Sequence, residues 1–140
     1  MLRKLGRVAA GLAAVVGMAA LSAGVLAGDD KEKTYPIEEI MKKGHGSKGL
    51  LKGIETHVKG SMWDEAKTDA KLLKAFGVSL GKNEPPMGEA KNWKKLAEAY
   101  KENTETVFKA VEKKDSKAAF EGLGKIRKSC SGCHKEHKPK

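Results

Sequence analysis

Residues 116–137 read SKAAFEGLGKIRKSCSGCHKEH, and apolar, thiol or imidazole side chains recur there at alternating steps of four and three. These side chains are Ala119, Leu123, Ile126, Cys130, Cys133 and His137. The spacing predicts a helix with one buried face, because residues three and four apart share a helix face. Asp115 and Ser116 come just before the pattern and predict an N-terminal cap.

Three segments upstream show the same helical spacing. Residues 62–80 carry it on Trp63, Ala66, Ala70, Leu73, Gly77 and Leu80, and residues 90–113 carry it on Trp93, Leu96, Ala97, Tyr100, Val107 and Val111. Ser61 with Asp64 resembles a capping box at the start of the first of these helices. The earliest segment, 36–59, contains Gly44, Gly46, Gly49 and Gly53. Each glycine costs up to about 1 kcal/mol relative to Ala, so we expect this helix to be bent or broken.

The joints between the four segments predict how they pack. Those near Gly60 and Asp115 are short, which favours antiparallel neighbours, whereas residues 81–88 contain two prolines that forbid helix. No segment after the N-terminal stretch alternates like a strand. The sequence therefore predicts an all-α chain, folded as an antiparallel four-helix bundle whose last helix carries the chemistry.

That chemistry lies in Cys130-Ser131-Gly132-Cys133-His134. On a helix the two thiols share a face about one turn apart, which suits addition to the two vinyl groups on one edge of a porphyrin. The histidine that follows can then bind the iron. The pattern is typical of c-type haem attachment and predicts one covalent haem c, with Cys130 and Cys133 as thioethers and His134 as the proximal ligand.

Three other interpretations of the cysteines are weaker. A disulfide would close only a very short loop and stabilise little, and a thioredoxin-like redox pair requires a βαβ context that the sequence lacks. Zinc could use the two thiols with His134 and His137. However, residues 130 and 137 lie about 10 Å apart along a helix axis, too far for one tetrahedral site.

A second axial ligand must come from upstream, because only six residues follow His134. Met41 and His45 are four apart and can face one way. Met41 lies nearer the centre of the apolar face, but Gly44 and Gly46 remove bulk beside His45 and would let the backbone approach a flat macrocycle. Neutral imidazole is also a strong iron ligand. We predict His45 as the sixth ligand, with Met41 or an open, five-coordinate site as the alternatives.

Two further expectations concern the surroundings of the haem. His137 lies one turn beyond His134 on the same helix, so it should be a solvent-facing or haem-edge side chain. A structure without cofactor should contain a cavity between the first helix and His134, because the bundle must leave haem-sized room there. The aromatic residues are expected to form the core and the haem-pocket wall, and they are Trp63, Trp93, Tyr100, Phe76, Phe108 and Phe120.

The four helices and the motif near the carboxyl end resemble the class II cytochromes c, the cytochrome c′ family. This resemblance implies a left-handed bundle with haem between the helices near one end. It also implies an apolar residue or a Met from the first helix on the open iron face, and homodimers through the first two helices. The chain departs from the family at His137 and Lys138, where an aromatic residue and an Arg are usual. It therefore looks like a divergent subgroup.

The N-terminus predicts export. Residues 1–7 carry three basic residues and no acid, and residues 8–27 are uncharged. Eight of those twenty residues are Ala and three are Gly, so the segment has only a weak tendency to insert into a bilayer. We therefore predict a signal peptide over 1–27, cleaved after Ala27, rather than an anchor. The haem domain would be 28–140, periplasmic or otherwise exported, with no membrane span after cleavage.

Charge indicates which partners fit. The net charge of +10 falls to about +7 without residues 1–27. Neither an Arg cluster nor interleaved aromatic and basic residues is present, so nucleic acid is not expected. The lysines either cover solvated helix faces or steer an acidic redox protein.

Two functions remain from these observations. The first is electron transfer through the haem iron, with the potential set by axial ligand, burial and hydrogen bonds. The alternative is binding of nitric oxide or carbon monoxide at an open iron face. An enzyme is not expected, because no distal acid–base pair can be recognised in the sequence.

Overall fold

A computed structural model describes residues 33–140 of the chain. In this range the elements are α1 (Ile37–Glu39), a π-helical turn (Ile40–Gly44), α2 (Leu50–Lys59), α3 (Trp63–Lys82), α4 (Ala90–Glu112) and α5 (Ser116–His137). No strand occurs among the described residues. The all-α prediction is confirmed.

The helix boundaries follow the predicted segments closely. Helices α3, α4 and α5 each begin and end within two residues of the ranges 62–80, 90–113 and 116–137. The glycine-rich first segment is broken, as expected, between the π turn and α2. The break begins at His45, whose backbone N–H still donates to the Met41 carbonyl.

One predicted cap forms and the other does not. The Asp115 carboxylate accepts a hydrogen bond from the Ala118 backbone N–H at 3.0 Å, so the cap of α5 is confirmed. The capping box of Ser61 and Asp64 is wrong, because α3 begins one residue later, after Met62, with no side-chain cap. Ser61 instead has φ of 56° and takes part in the tight turn that follows α2.

Consecutive helices pack against each other, α2 on α3, α3 on α4 and α4 on α5, and α2 also contacts α5. The π turn packs on α2 and α3. At this contact Phe76 of α3 is fully buried, and its ring meets Tyr35 edge to face with centroids 4.8 Å apart. Packing around Phe76 therefore fixes the first helical segment, which carries both candidate sixth ligands.

A surface ion-pair network joins α2 to α5. The Glu55 carboxylate accepts hydrogen bonds from Lys59 at 2.7 Å and from Arg127 of α5 at 2.6 Å. These two bonds, that from Lys59 first, lower the pKa of Glu55 to about 2.

The depressed pKa predicts a specific acid sensitivity. A carboxylate with a lowered folded-state pKa stabilises the fold above its ordinary value of 4.5, and this stabilisation is lost as the pH falls toward about 2. We expect Glu55→Gln to flatten the loss of stability over that interval, measured by urea unfolding at several pH values. Glu121→Gln, at an exposed position of α5, is the control. Equal slopes for both variants would refute the role of Glu55.

Within residues 33–140, no helix is long and apolar enough to cross a membrane. The predicted signal peptide over residues 1–27 lies outside the described part of the chain.

Candidate functional site

The Cys-x-x-Cys-His motif occupies the last two turns of α5. Cys130 and Cys133 are half-buried and both are free thiols, while His134 is exposed. The Cys130 thiol donates to the Ile126 carbonyl at 3.4 Å, one turn earlier. The helix thus presents two reduced thiols one turn apart, with an imidazole directly after them.

The electrostatics of the thiols argue against a redox-active pair. Burial raises the pKa of Cys130 and that of Cys133 above the ordinary thiol value. Reactive Cys-x-x-Cys motifs instead lower the pKa of one thiol to generate a thiolate. The surroundings of these two thiols therefore do not favour disulfide exchange.

Two adjoining cavities lie between the first helical segment and α5. Cavity A has a volume of about 180 Å³ and is bordered by Ile37, Trp93 and His137 among others. Cavity B has a volume of about 70 Å³ and is bordered on its far side by Leu80 of α3 and by α4. A cavity is thus present between the first segment and His134, but the haem-sized room predicted there is not.

All five candidate site residues border cavity B. They are Met41, His45, Cys130, Cys133 and His134. Three of them, Met41, Cys133 and His134, also border cavity A, so these side chains stand where the two cavities adjoin. Residues separated by about 90 positions in sequence are thus brought to one place by the fold.

The chemistry of the walls fits a haem better than the volume does. Almost all of the exposed lining of both cavities is apolar, and the imidazoles and thioether that border cavity B are groups that suit haem iron. Each cavity is smaller than the roughly 300–1,000 Å³ of ordinary ligand sites. A whole porphyrin would therefore need more room than either cavity provides.

His45 forms a hydrogen bond with a residue of α4 that is distant from it in sequence. Its Nε2 atom lies 2.8 Å from the hydroxyl of Tyr100 on α4, at hydrogen-bonding distance. Burial, and secondarily the charge of His134, lower the pKa of His45. Burial, and secondarily Cys130, raise the pKa of Tyr100. Tyr100 thus serves as a cavity wall and also supplies a polar group; the only signal for this in the sequence is that a buried tyrosine needs a partner.

His137 is not solvent-facing, and that part of the prediction is wrong. Its side chain is only 2 % exposed, and Nδ1 lies 2.7 Å from the carbonyl oxygen of Met87. The ring also meets Trp93 edge to face, with centroids 5.2 Å apart. The reason is that the loop after α3 folds over the last turn of α5 and covers the imidazole. His137 continues the four-and-three pattern of α5, and that is the signal for its burial.

The structure shows what surrounds the two glycines beside His45. Neither Gly44 nor Gly46 borders cavity A or B. A Cβ atom on Gly44 would lie 3.3 Å from the Phe76 ring, and one on Gly46 would lie 2.6 Å from the Lys42 carbonyl oxygen. The absence of a side chain at Gly44 therefore lets the π turn pack closely on α3. The role of both glycines beside a macrocycle stays a prediction.

In the described part of the chain, no three His, Cys, Asp or Glu side chains are arranged to hold a metal ion by themselves. Comparison of the chain with models of known protein families, with curated proteins and with solved structures found no match.

Proposed function

We propose that this chain is an exported c-type cytochrome that transfers electrons through one covalent haem. Cys130 and Cys133 would form the thioethers, and His134 would be the proximal ligand. The observation that carries the proposal is that cavity B is bordered by both thiols, by His134 and by both candidate sixth ligands, Met41 and His45. When bound, the haem supplies an iron centre that accepts and releases one electron.

The protein's own residues have separable tasks in this proposal. Helix α5 sets the spacing of the two thiols and directs His134 from the following position. Leu80, Leu96 and Ala99 border cavity B with apolar surface. They would limit the access of water to the haem, which is one of the factors that set its redox potential. The excess of lysine would steer an acidic redox partner toward the protein.

We propose an antiparallel four-helix bundle of α2 to α5 as the architecture behind this site. The packing of consecutive helices and the contact between α2 and α5 support it. The short links at residues 60–62 and 113–115 support antiparallel pairs at those two joints. The π turn and α1 then extend the first helix of the bundle over the end of α5.

Binding of nitric oxide or carbon monoxide is the second candidate. The observation in its favour is the hydrogen bond that engages His45 with Tyr100. If Met41 also stays unbound, neither candidate side chain would bind the iron, which would then be left open to a diatomic gas.

The proposal predicts a covalent, gas-insensitive haem. The full chain should be produced with its own residues 1–27 in a bacterium that attaches haem to exported proteins. We expect acidified organic solvent to leave the haem on the protein, and mass spectrometry to find one haem on the peptide with Cys130 and Cys133. The visible spectrum should be low-spin and unchanged by carbon monoxide.

Each departure from this result has a definite meaning. Clean extraction of haem into the solvent would contradict covalent attachment. A covalent but high-spin haem whose ferrous spectrum shifts with carbon monoxide would replace electron transfer by gas binding.

A further inference from the structure

We propose that Tyr100 is a positioning residue that selects the axial ligand: its hydroxyl holds His45 away from the iron site and leaves Met41 as the side chain that faces it. This inference rests on the proposed haem site and departs from the sequence-based preference for His45. It concerns a contact between α4 and the residue at which the first helical segment breaks.

The first step is that the hydrogen bond and the iron compete for one atom. The Tyr100 hydroxyl lies 2.8 Å from His45 Nε2, so this nitrogen is engaged whichever tautomer the ring adopts. Nε2 is also the nitrogen suited to haem iron, because Nδ1 adjoins the ring carbon that bears Cβ. Bound through Nδ1, the imidazole would press Cβ against the flat macrocycle.

The second step is that little else restrains the imidazole. The Nδ1 atom is buried and has no hydrogen-bond partner within residues 33–140. His45 follows the π turn and begins the non-helical link to α2. Besides cavity B, it borders a third cavity of about 280 Å³ on the side of Arg127. Loss of the Tyr100 hydroxyl would therefore free a ring with space on two sides.

The third step is that Met41 is the better placed of the two candidate ligands. Met41 borders both cavity A and cavity B, as His134 does, whereas His45 borders only cavity B of these two. With His45 held by Tyr100, the thioether of Met41 is left at the junction of the cavities opposite the motif.

The test is Tyr100→Phe, which removes one oxygen and keeps the ring that borders cavity B. In the wild-type haem protein we expect a sulfur-to-iron charge-transfer band. In Tyr100→Phe we expect this band to disappear, the spectrum to become that of two imidazole ligands, and the midpoint potential to fall, because a Met ligand raises the potential of a His-ligated haem. Nitrogen-15 NMR of the ferrous protein should show the His45 ring changing from hydrogen-bonded to metal-bound.

Three further variants serve as controls. The double variant Tyr100→Phe with His45→Ala should recover the sulfur band, and His45→Ala alone should retain it. Tyr35→Phe changes the other tyrosine of the described chain, which packs on Phe76 away from both cavities, and should change none of these readouts.

Two results would overturn the inference while leaving the haem assignment intact. One is a Tyr100→Phe protein with an unchanged spectrum and potential. The other is a wild-type protein that already shows two imidazole ligands and loses one of them in His45→Ala. The haem content of every sample should be established by mass, since a chain without covalent haem would overturn both this inference and the proposed function.

Discussion

Replacement of both Cys130 and Cys133 by serine is expected to abolish covalent haem completely. Thioether formation consumes one thiol at each position, and the chain contains no other cysteine that could substitute. The two side chains border the same cavity as His134, so both serve one macrocycle in the proposed site. We expect the double variant to lose all haem to acidified organic solvent, and each single variant to retain one thioether bond.

Ser131→Ala is the matched control for this experiment. Ser131 lies between the two cysteines, is exposed, and donates its hydroxyl only to the Lys128 carbonyl at 3.4 Å among the described contacts. Its loss should leave both the haem content and the mass of the haem peptide unchanged. Haem that resists extraction from the double serine variant would show that the cofactor is held by other groups.

Phe76→Ala is expected to cause the largest loss of stability of any single substitution considered. The side chain is 0 % exposed, and it contacts Tyr35 and the π turn. Truncation of a buried phenylalanine costs about 3–5 kcal/mol, because transfer free energy is lost and a cavity remains. We expect a decrease of this size in the free energy of unfolding, measured by urea titration with circular dichroism.

The same truncation at a half-buried position provides the comparison. Phe120 lies on α5 and is only partly buried. Phe120→Ala should therefore cost clearly less than Phe76→Ala. If the two variants lose equal stability, the packing of the first segment on Phe76 does not contribute as the structure indicates.

The helices could be predicted from sequence where one local pattern was strong. Helices α3, α4 and α5 carry apolar repeats along most of their length, and their boundaries were correct to within two residues. The glycines of the first segment predicted that its helix would be broken. They did not predict that a π-helical turn would precede the break. A Cβ atom on Gly44 of the π turn would lie 3.3 Å from the Phe76 ring, and residues so far apart in sequence share no local pattern.

For the candidate site, too, the sequence predicted the residues that form a local pattern but not the contacts between distant residues. The two thiols and His134 form a contiguous motif with one chemical meaning. The contact between His45 and Tyr100 spans 55 positions, and the one between His137 and Met87 spans 50. Such pairs are created by the packing of separate helices, so a linear pattern can supply the candidate residues but not their partners.

The packing of each helix on its neighbour in the chain also bears on folding kinetics. Chains dominated by contacts between nearby residues fold rapidly, because little loop-closure entropy is lost before each contact forms. The ion pair of Glu55 with Arg127 is different, since it joins residues 72 positions apart. Docking of the first segment onto α5 should therefore follow the pairing of α3, α4 and α5. In the proposed cytochrome, the cavity would lack one wall before that step, and haem would have an open route of entry.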